Sequence, residues 1–274
     1  MTILDASGLS VETSDGTRLV SNISFTIDAG GRLGLIGESG SGKSMTALAI
    51  MGLLPAELRA SGSLLLGRDQ EAPVQILNST EKVLNKIRGT AASIVFQEPL
   101  TALDPLMKIG RQLSEPLRRW KGLRGDALHT AVIAALTEVR INNPERIAKS
   151  YPYEISGGER QRAAIAMALA CEPALLIADE PTTALDVTVQ AEILHLLDTV
   201  VSERGMSLLF ISHDLAVVSR ITDHVLVLKD GKAVESGSLH EILIAPQHPY
   251  TRELVTSARE LDNALNLATT AGGA

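Results

Sequence analysis

The sequence predicts an α/β fold built around a parallel β-sheet, and three observations support this prediction. Short apolar runs at residues 33–36, 175–178 and 208–212 alternate with helical stretches, and such strands are typical of a parallel sheet that is covered on both faces. A glycine-rich segment, residues 37–44, follows the first run, and polar residues follow the other two. In open α/β sheets, ligands bind at the carboxyl ends of the strands.

The glycine-rich segment fits the phosphate-binding pattern G-x-x-x-x-G-K-[ST]. Its three glycines permit backbone angles that a β-carbon forbids, so that N–H groups can converge on an anion at the start of the following helix. Lys43 is expected to reach the β- and γ-phosphates and Ser44 to ligate Mg²⁺. A Gly/Ser-rich turn is the alternative, but a strand before the segment and a helix after it favour nucleotide binding. The residues expected at the phosphates are Gly37, Glu38, Ser39, Gly40, Ser41, Gly42, Lys43 and Ser44.

Composition narrows the classes of protein to which the chain could belong. Its 274 residues carry a net charge of −7, which argues against nucleic acid as the main partner. The longest apolar run, residues 163–171, is too short to span a membrane, and the N-terminus has no signal-peptide pattern. A single cysteine, Cys171, permits neither an intrachain disulfide nor an all-cysteine metal site. We therefore expect a protein of the reducing cytoplasm, with Cys171 as a small core residue.

The N-terminal part of the chain has the pattern of an antiparallel β element. Asp15 and Gly16 predict a hairpin turn, and residues 22–27 alternate between apolar and polar side chains. Further strands are predicted at residues 64–66 and 93–96.

The helices form the rest of the predicted organisation. The first is predicted over residues 45–53, where Leu53, Leu54 and Pro55 end it. Residues from about 99 to 155 form a predicted helical insertion, with helices expected to break at Pro105, Pro116, Pro144 and Pro152. The predicted domain covers residues 1–240, and residues 241–274 are predicted to form a short C-terminal helical tail.

Candidate catalytic groups follow the predicted strands. Asp179 and Glu180 are adjacent, and on an extended backbone their side chains would point in opposite directions. Asp179 is thus expected to hold Mg²⁺ and Glu180 to face an attacking water, with Mg²⁺ and Lys43 offsetting their repulsion. His213 is expected to bond the γ-phosphate, and Gln97 to ligate Mg²⁺ or the water. The alternatives are a pair of solvated acids, a surface histidine and a polar residue that opens a loop.

A second candidate phosphate contact precedes the helix that begins near residue 157. Ser156 and Glu159 have the spacing of a capping box, which is the simpler interpretation. That interpretation leaves Gly157 and Gly158 unexplained, because glycine in a helix costs about 0.5–1 kcal/mol relative to alanine. Close approach of a phosphate to the backbone would explain both.

Together these motifs resemble, in order and spacing, the ATP-binding cassette of ABC transporters over residues 1 to about 240. The motifs are residues 37–44, Gln97, residues 155–159, residues 175–180 with 184–186, and His213. Residues 96–105, 178–188 and 248–251 resemble the subfamily of oligopeptide, dipeptide and nickel importers. The resemblance implies a P-loop NTPase core of the RecA-like type with a parallel sheet, an N-terminal antiparallel β element and a helical insertion.

The resemblance also implies a role for each motif. Residues 37–44 would be the Walker A loop, Asp179 the Walker B acid, Glu180 the catalytic base and His213 the switch histidine. Asp186 would contact the partner across the dimer from the D-loop. Gln97 would also sense the membrane subunit.

The same resemblance implies partners, cofactors and a location. Family members work as head-to-tail pairs of identical or homologous ATPase subunits, in which the Ser156, Gly157, Gly158 and Glu159 segment of one subunit closes on ATP held by the other. A membrane permease would dock a coupling helix beside the insertion, and an extracytoplasmic solute-binding protein would act indirectly. The cofactors would be ATP and Mg²⁺. The location would be the cytoplasmic face of the inner membrane, as a peripheral subunit.

This sequence departs from the family pattern at three places. The signature segment, residues 155–159, has Ile155 and Glu159 where the family usually has leucine and glutamine. An acidic Glu159 could weaken ATP binding at the site of the facing subunit unless the capping box engages its charge. No aromatic residue near Thr13 is available to stack on adenine. Many close relatives bind an iron–sulfur cluster through a cysteine-rich C-terminal segment, and with Cys171 alone no such cluster is expected.

The function expected from these observations is ATP hydrolysis that energises the import of peptides or nickel and other metal chelates. One alternative is a soluble cassette ATPase that acts on DNA or ribosomes, although such proteins typically carry long coiled-coil inserts or two fused cassettes. Another is a regulatory module that binds nucleotide without turnover, against which Glu180 and His213 argue.

Overall fold

The computed structural model describes residues 1–68, 72–97, 102–183 and 186–271, with residues 261–271 as backbone only. The strands in chain order are β1 (Thr2–Thr13), β2 (Arg18–Asp28), β3 (Arg32–Ile36), β4 (Leu58–Leu66), β5 (Val74–Gln75), β6 (Ala92–Val95), β7 (Leu175–Asp179), β8 (Ser207–Ser212), β9 (His224–Lys229) and β10 (Lys232–Ser238). The helices are α1 (Lys43–Ile50), α2 (Glu81–Ile87), α3 (Ile109–Lys121), α4 (Gly125–Glu138), α5 (Pro144–Lys149), α6 (Gly157–Leu169), α7 (Val187–Arg204), α8 (Leu215–Val218), α9 (Leu239–Ile244) and α10 (Pro249–Ala271).

The predicted parallel sheet is confirmed. Six strands pair in the order β10-β9-β3-β8-β7-β6, all parallel except for the antiparallel hairpin of β9 and β10. Leu176 and Ala178 of β7 pack into the core on one face, whereas Leu175 and Ile177 pack into the core on the other. Because both faces are covered, the strand must be apolar throughout, which is the pattern read from the sequence.

A second, antiparallel sheet covers one face of the first. Its strand order is β2-β1-β4-β5, and the predicted hairpin turn between β1 and β2 is confirmed, with Gly16 at φ +87°. The prediction of a purely N-terminal element was incomplete, because β4 and β5 follow α1 in the chain and complete this sheet. Local pattern alone does not show that residues 58–66 return to pair with β1.

The first helix ends earlier than predicted. Its last helical residue is Ile50, and Gly52 adopts a left-handed conformation with φ +61°. A built β-carbon on Gly52 would lie 2.9 Å from the Leu84 side chain. Glycine therefore ends the helix, before Pro55 can act as the stop signal.

The helical insertion consists of α3, α4 and α5 between β6 and α6, and residues 98–101 at its predicted beginning lie outside the described residues. Pro144 begins α5 and Pro152 begins a 3₁₀ turn, Pro152–Glu154. Pro116, however, lies inside α3 and does not break it. Leu113 and Leu117, on either side of this proline, are buried in the core, and their burial offsets the lost backbone hydrogen bond.

The C-terminal helices pack against the rest of the chain. Ile242 of α9 and Val255 of α10 belong to the same buried core as the helical face of the parallel sheet. Cys171 is buried in that core, as predicted. Over the described ranges, no helix combines the length and the apolar character that crossing a membrane requires. The division of the chain at residue 240 stays a prediction.

Candidate active site

The carboxyl ends of four neighbouring strands meet at one edge of the parallel sheet. Ile36 of β3 pairs with Ser212 of β8, Asp179 of β7 pairs with Ile211 of β8, and Val95 of β6 pairs with Ala178 of β7. A cavity of about 720 Å³ opens at this edge. Its lining comprises Leu19, Glu38, Ser39, Gly40, Gly42, Lys43, Ser44, Met45, Gln97, Glu180, Thr183 and His213. The structure therefore brings the glycine-rich loop together with the candidate catalytic groups.

The glycines of the loop meet two different requirements. Gly40 and Gly42 have φ of +81° and +97°, so their backbone conformation favours glycine. Gly37 is required for space instead, because a built β-carbon would lie 2.3 Å from Leu228 O and 2.5 Å from Ser41 Oγ. The expectation that all three glycines serve backbone freedom is thus wrong for Gly37. At Gly40 a β-carbon would meet nothing within 4 Å, so space does not require glycine there.

Lys43 forms the floor of the cavity. Its side chain is only 5% exposed, and Nζ donates to Gly37 O at 2.7 Å and to Glu38 O at 2.9 Å. Burial lowers the pKa of Lys43, and the nearby carboxylates of Glu180 and Asp179 oppose that shift. The ammonium group thus fixes the loop through two of its carbonyls while it presents positive charge to the cavity.

Glu180 is the centre of the polar network. Its Oε2 accepts from Gln97 Nε2 at 3.1 Å and from Thr183 Oγ1 at 3.0 Å, and its Oε1 lies 3.2 Å from His213 Nδ1. Its backbone is left-handed, with φ +46°, so the expectation of an extended backbone at Glu180 is wrong. Such a conformation costs about 1–2 kcal/mol for a residue with a β-carbon, and these side-chain partners hold it in place.

Asp179, by contrast, is buried beneath the loop. Its Oδ1 is buried without a hydrogen-bond partner. Burial raises the pKa of Asp179, a hydrogen bond from Ser44 lowers it, and the charge of Glu180 raises it further. A carboxylate oxygen and a hydroxyl are the hard oxygen donors that Mg²⁺ prefers, so Asp179 and Ser44 fit that ion.

Gln97 lies in the same cavity, with its amide nitrogen on Glu180. Its assignment as an Mg²⁺ ligand stays a prediction. Within the described part of the chain, no cluster of three or more His, Cys, Asp or Glu side chains is arranged to hold a metal ion.

The Ser156 to Glu159 segment is not part of this cavity as far as the described residues show. Ser156 caps α6 in the predicted capping box, in which Glu159 Oε2 accepts from Ser156 N at 2.8 Å. A built β-carbon on Gly158 would lie 3.1 Å from Val189 of α7. A side chain at position 158 would therefore crowd α7 within the same chain, a contact that the sequence alone does not reveal.

Each carboxylate oxygen of Glu159 has a partner within the chain. In addition to the cap, Arg146 Nη2 of α5 lies 2.5 Å from Glu159 Oε1. Although burial opposes the shift, the hydrogen bonds from Ser156 and the charge of Arg146 lower the pKa of Glu159. The condition set by the sequence, that the cap must engage this charge, is met, with Arg146 as an additional partner.

Asp186 caps the next helix. Its carboxylate accepts from Thr188 N at 3.1 Å and from Val189 N at 3.0 Å. Ala184 and Leu185, which complete this motif in the sequence, lie outside the described residues. The expected contact of Asp186 across a dimer stays a prediction.

Several residues of the site were missed by sequence reasoning. Thr183 bonds Glu180, and its position three residues after that carboxylate was an available signal. Leu19 and Met45 supply apolar lining, although no pattern marks either residue. Tyr250 hydrogen-bonds the loop, whereas the motif that contains it indicates only the subfamily.

Comparison with known proteins agrees with this geometry. The family model described as ABC transporter matches residues 20–183, which include the loop, Gln97, the capping-box segment and the Asp179–Glu180 pair. The chain belongs to the ABC transporter family. The expected resemblance and the P-loop NTPase fold are thereby confirmed.

Sequence relatives of this ABC cassette are import proteins by name. It is 45% identical over 271 residues to a putative peptide import ATP-binding protein of Brucella ovis, covering 97% of this chain and 80% of the relative. It is 44% identical over 244 residues to the glutathione import ATP-binding protein GsiA of Escherichia coli O1:K1, covering 88% of this chain. It spans only 39% of the length of that second relative.

Solved structures share the fold of the cassette. A dimeric ATP-binding cassette in a post-hydrolysis state, bound to ADP and Pi, superposes with a TM-score of 0.74 at 27% identity, covering 86% of this chain and 98% of that one. CbiO1 from Clostridium perfringens, part of the ABC transporter complex CbiONQ, gives a TM-score of 0.73 at 28% identity, covering 89% and 91%.

Proposed function

We propose that this cassette is the ATP-binding and ATP-hydrolysing subunit of an ABC importer that takes up peptides, with nickel or other metal chelates as the alternative cargo. One observation supports the hydrolytic role: the carboxylate of Glu180 lies beside the phosphate loop, where it contacts Gln97, Thr183 and His213. The import names of the sequence relatives support the cargo class.

Each group of the site has a part in the proposed reaction. Backbone N–H groups of the loop and Lys43 would bind the phosphates, and Glu180 would orient and deprotonate the water that attacks the γ-phosphate in line. His213 would hold Glu180 and bond the γ-phosphate. Asp179 and Ser44, with Gln97, would hold Mg²⁺, which when bound would neutralise developing phosphate charge.

The proposed assembly is a head-to-tail pair of ATPase subunits, identical or homologous, at the cytoplasmic face of the inner membrane. The Ser156, Gly157, Gly158 and Glu159 segment of one subunit would close on the ATP of the other. The similarity of this chain to a solved dimeric ATP-binding cassette bound to ADP and Pi supports a paired arrangement. A permease would dock at the helical insertion and a solute-binding protein would act from outside. The assembly would contain no nucleic acid.

The test is the variant Glu180→Gln in the assembled importer. It should bind MgATP and hydrolyse it at least about tenfold more slowly, because the general base is lost while the phosphate loop is intact. Glu203→Gln, at the far end of α7, is a matched control that should leave turnover unchanged. ATPase rates and MgATP affinity are measured for both variants. Turnover of Glu180→Gln near the wild-type rate would reject the role of this carboxylate.

A further inference from the structure

The start of the C-terminal helix lies directly against the phosphate loop. Tyr250, the second residue of α10, is 2% exposed, and its hydroxyl oxygen accepts a hydrogen bond from the backbone N–H of Glu38 at 2.9 Å. The two residues are 212 positions apart in the chain. A tyrosine that is buried usually requires a partner for its hydroxyl, and here the partner is the loop itself.

This contact completes a clamp on one peptide unit of the loop. The carbonyl of Gly37 accepts from Lys43 Nζ at 2.7 Å, and the N–H of the same peptide group, on Glu38, donates to Tyr250. Both polar atoms of the peptide are thus fixed by side chains, one on each side. Leu228 O leaves no room for a β-carbon on Gly37, so only glycine fits at the start of this peptide.

The chain around Tyr250 is built to hold the tyrosine in this position. Glu235 of β10 accepts from the backbone N–H groups of Gln247 at 2.7 Å and His248 at 2.9 Å, which anchors the chain just before α10. Pro249 then begins the helix, a position that suits proline because no intrahelical hydrogen bond is lost there. Lys229 Nζ lies 4.6 Å from the centre of the Tyr250 ring, within the range of a cation–π interaction.

We propose that Tyr250 is a positioning residue for nucleotide binding, so that the start of α10 helps to hold the phosphate loop in its binding conformation. The inference rests on the proposed function, since it concerns the affinity of the same loop for ATP. Without the hydroxyl, the N–H of Glu38 loses its partner in a partly buried place, and the peptide can rotate to find another. The loop would then hold the binding geometry for a smaller fraction of the time, and the apparent affinity falls by that fraction.

The experiment compares Tyr250→Phe with the wild-type full-length chain. We expect MgATP to bind about tenfold more weakly, which corresponds to about 1.4 kcal/mol. In the assembled importer, KM for ATP should rise by a similar factor with kcat within about twofold, because Glu180 and His213 are untouched. Thr256→Val removes a hydroxyl from the same helix, where it bonds only Arg252 O among the described contacts, and should bind MgATP like the wild type.

Amide hydrogen exchange provides a readout that general destabilisation would not reproduce. In Tyr250→Phe, exchange should accelerate at Glu38 and not in the sheet. Glu235→Gln weakens the hydrogen bonds that anchor residues 247 and 248 but keeps the Tyr250 hydroxyl, and should reduce MgATP affinity by a smaller factor. If Tyr250→Phe does not fold, the MgATP affinity of Glu235→Gln is the test of the inference. Unchanged MgATP affinity together with unchanged exchange at Glu38 would overturn the inference. A wild-type chain that fails to bind MgATP would instead overturn the proposed function.

Discussion

Arg146 is predicted to make the acidic signature segment compatible with an incoming triphosphate. It lies 2.5 Å from Glu159, the residue that occupies the position where the family usually has glutamine. The informative perturbation is Arg146→Met, which keeps much of the aliphatic length of the side chain and removes the charge. It is made in the wild type and in Glu159→Gln, so that the four proteins form a double-mutant cycle.

The expected coupling energy between Arg146 and Glu159 depends on how exposed their side chains are. The Arg146 side chain is 49% exposed and that of Glu159 is 29% exposed, so solvent screens the pair and a coupling of about 0.5–1 kcal/mol is expected. Arg146→Met should therefore lower the free energy of unfolding by about that amount in the wild type, and by much less when residue 159 is glutamine. A coupling of this size corresponds to a factor of about two to five in an equilibrium constant. An unpaired Glu159 carboxylate should therefore lower the equilibrium constant for ATP-driven closure of two subunits by that factor.

Two assays measure this coupling. Urea unfolding of the four proteins gives the stability term, and ATP-driven closure of the assembled importer, slowed in turnover by Glu180→Gln, gives the functional term. Equal effects of Arg146→Met in both backgrounds, in both assays, would show that the pair carries no neutralising role.

Two further predictions concern the loop and pH. Gly37→Ala should lower the free energy of unfolding by about 3 kcal/mol, because its β-carbon would meet a backbone oxygen at 2.3 Å. Gly40→Ala, which meets no atom within 4 Å, should cost only about 1–2 kcal/mol for its left-handed backbone; urea unfolding that ranks the two variants in reverse would contradict this. The pKa of Glu159 is lowered from 4.5, so its stabilising contribution is complete above pH 4.5 and lost as pH falls through the lower folded value. The stability difference between wild type and Glu159→Gln should thus shrink below pH 4.5, and a difference that grows instead would contradict the assignment.

Much of the fold could be predicted because its signals are local. A buried parallel strand must be apolar on both faces, and a phosphate loop must have small residues between a strand and a helix. Residues 175–178 and 208–212 were recognised in this way. The pairing of β4 with β1 could not be predicted, because it depends on contacts between segments about fifty residues apart.

The sequence predicts which residues form the site, but not the structural requirement that each of them meets. Gly37 was assigned backbone freedom, but its requirement is space beside Leu228, which belongs to a strand far along the chain. Glu180 was assigned an extended backbone, but its partners hold it in a left-handed one. Tyr250 contacts Glu38 across 212 positions of the chain, and Arg146 contacts Glu159 from the preceding helix; neither contact leaves a periodic pattern in the sequence.

In the proposed assembly each ATP is bound by two subunits. The most direct measurement is a structure of the assembled importer with Glu180→Gln, locked with MgATP. We expect the triphosphate held by Lys43 and the loop of one subunit to contact Ser156 and the backbone at Gly158 of the facing subunit. A closed assembly in which the triphosphate contacts one subunit alone would contradict it.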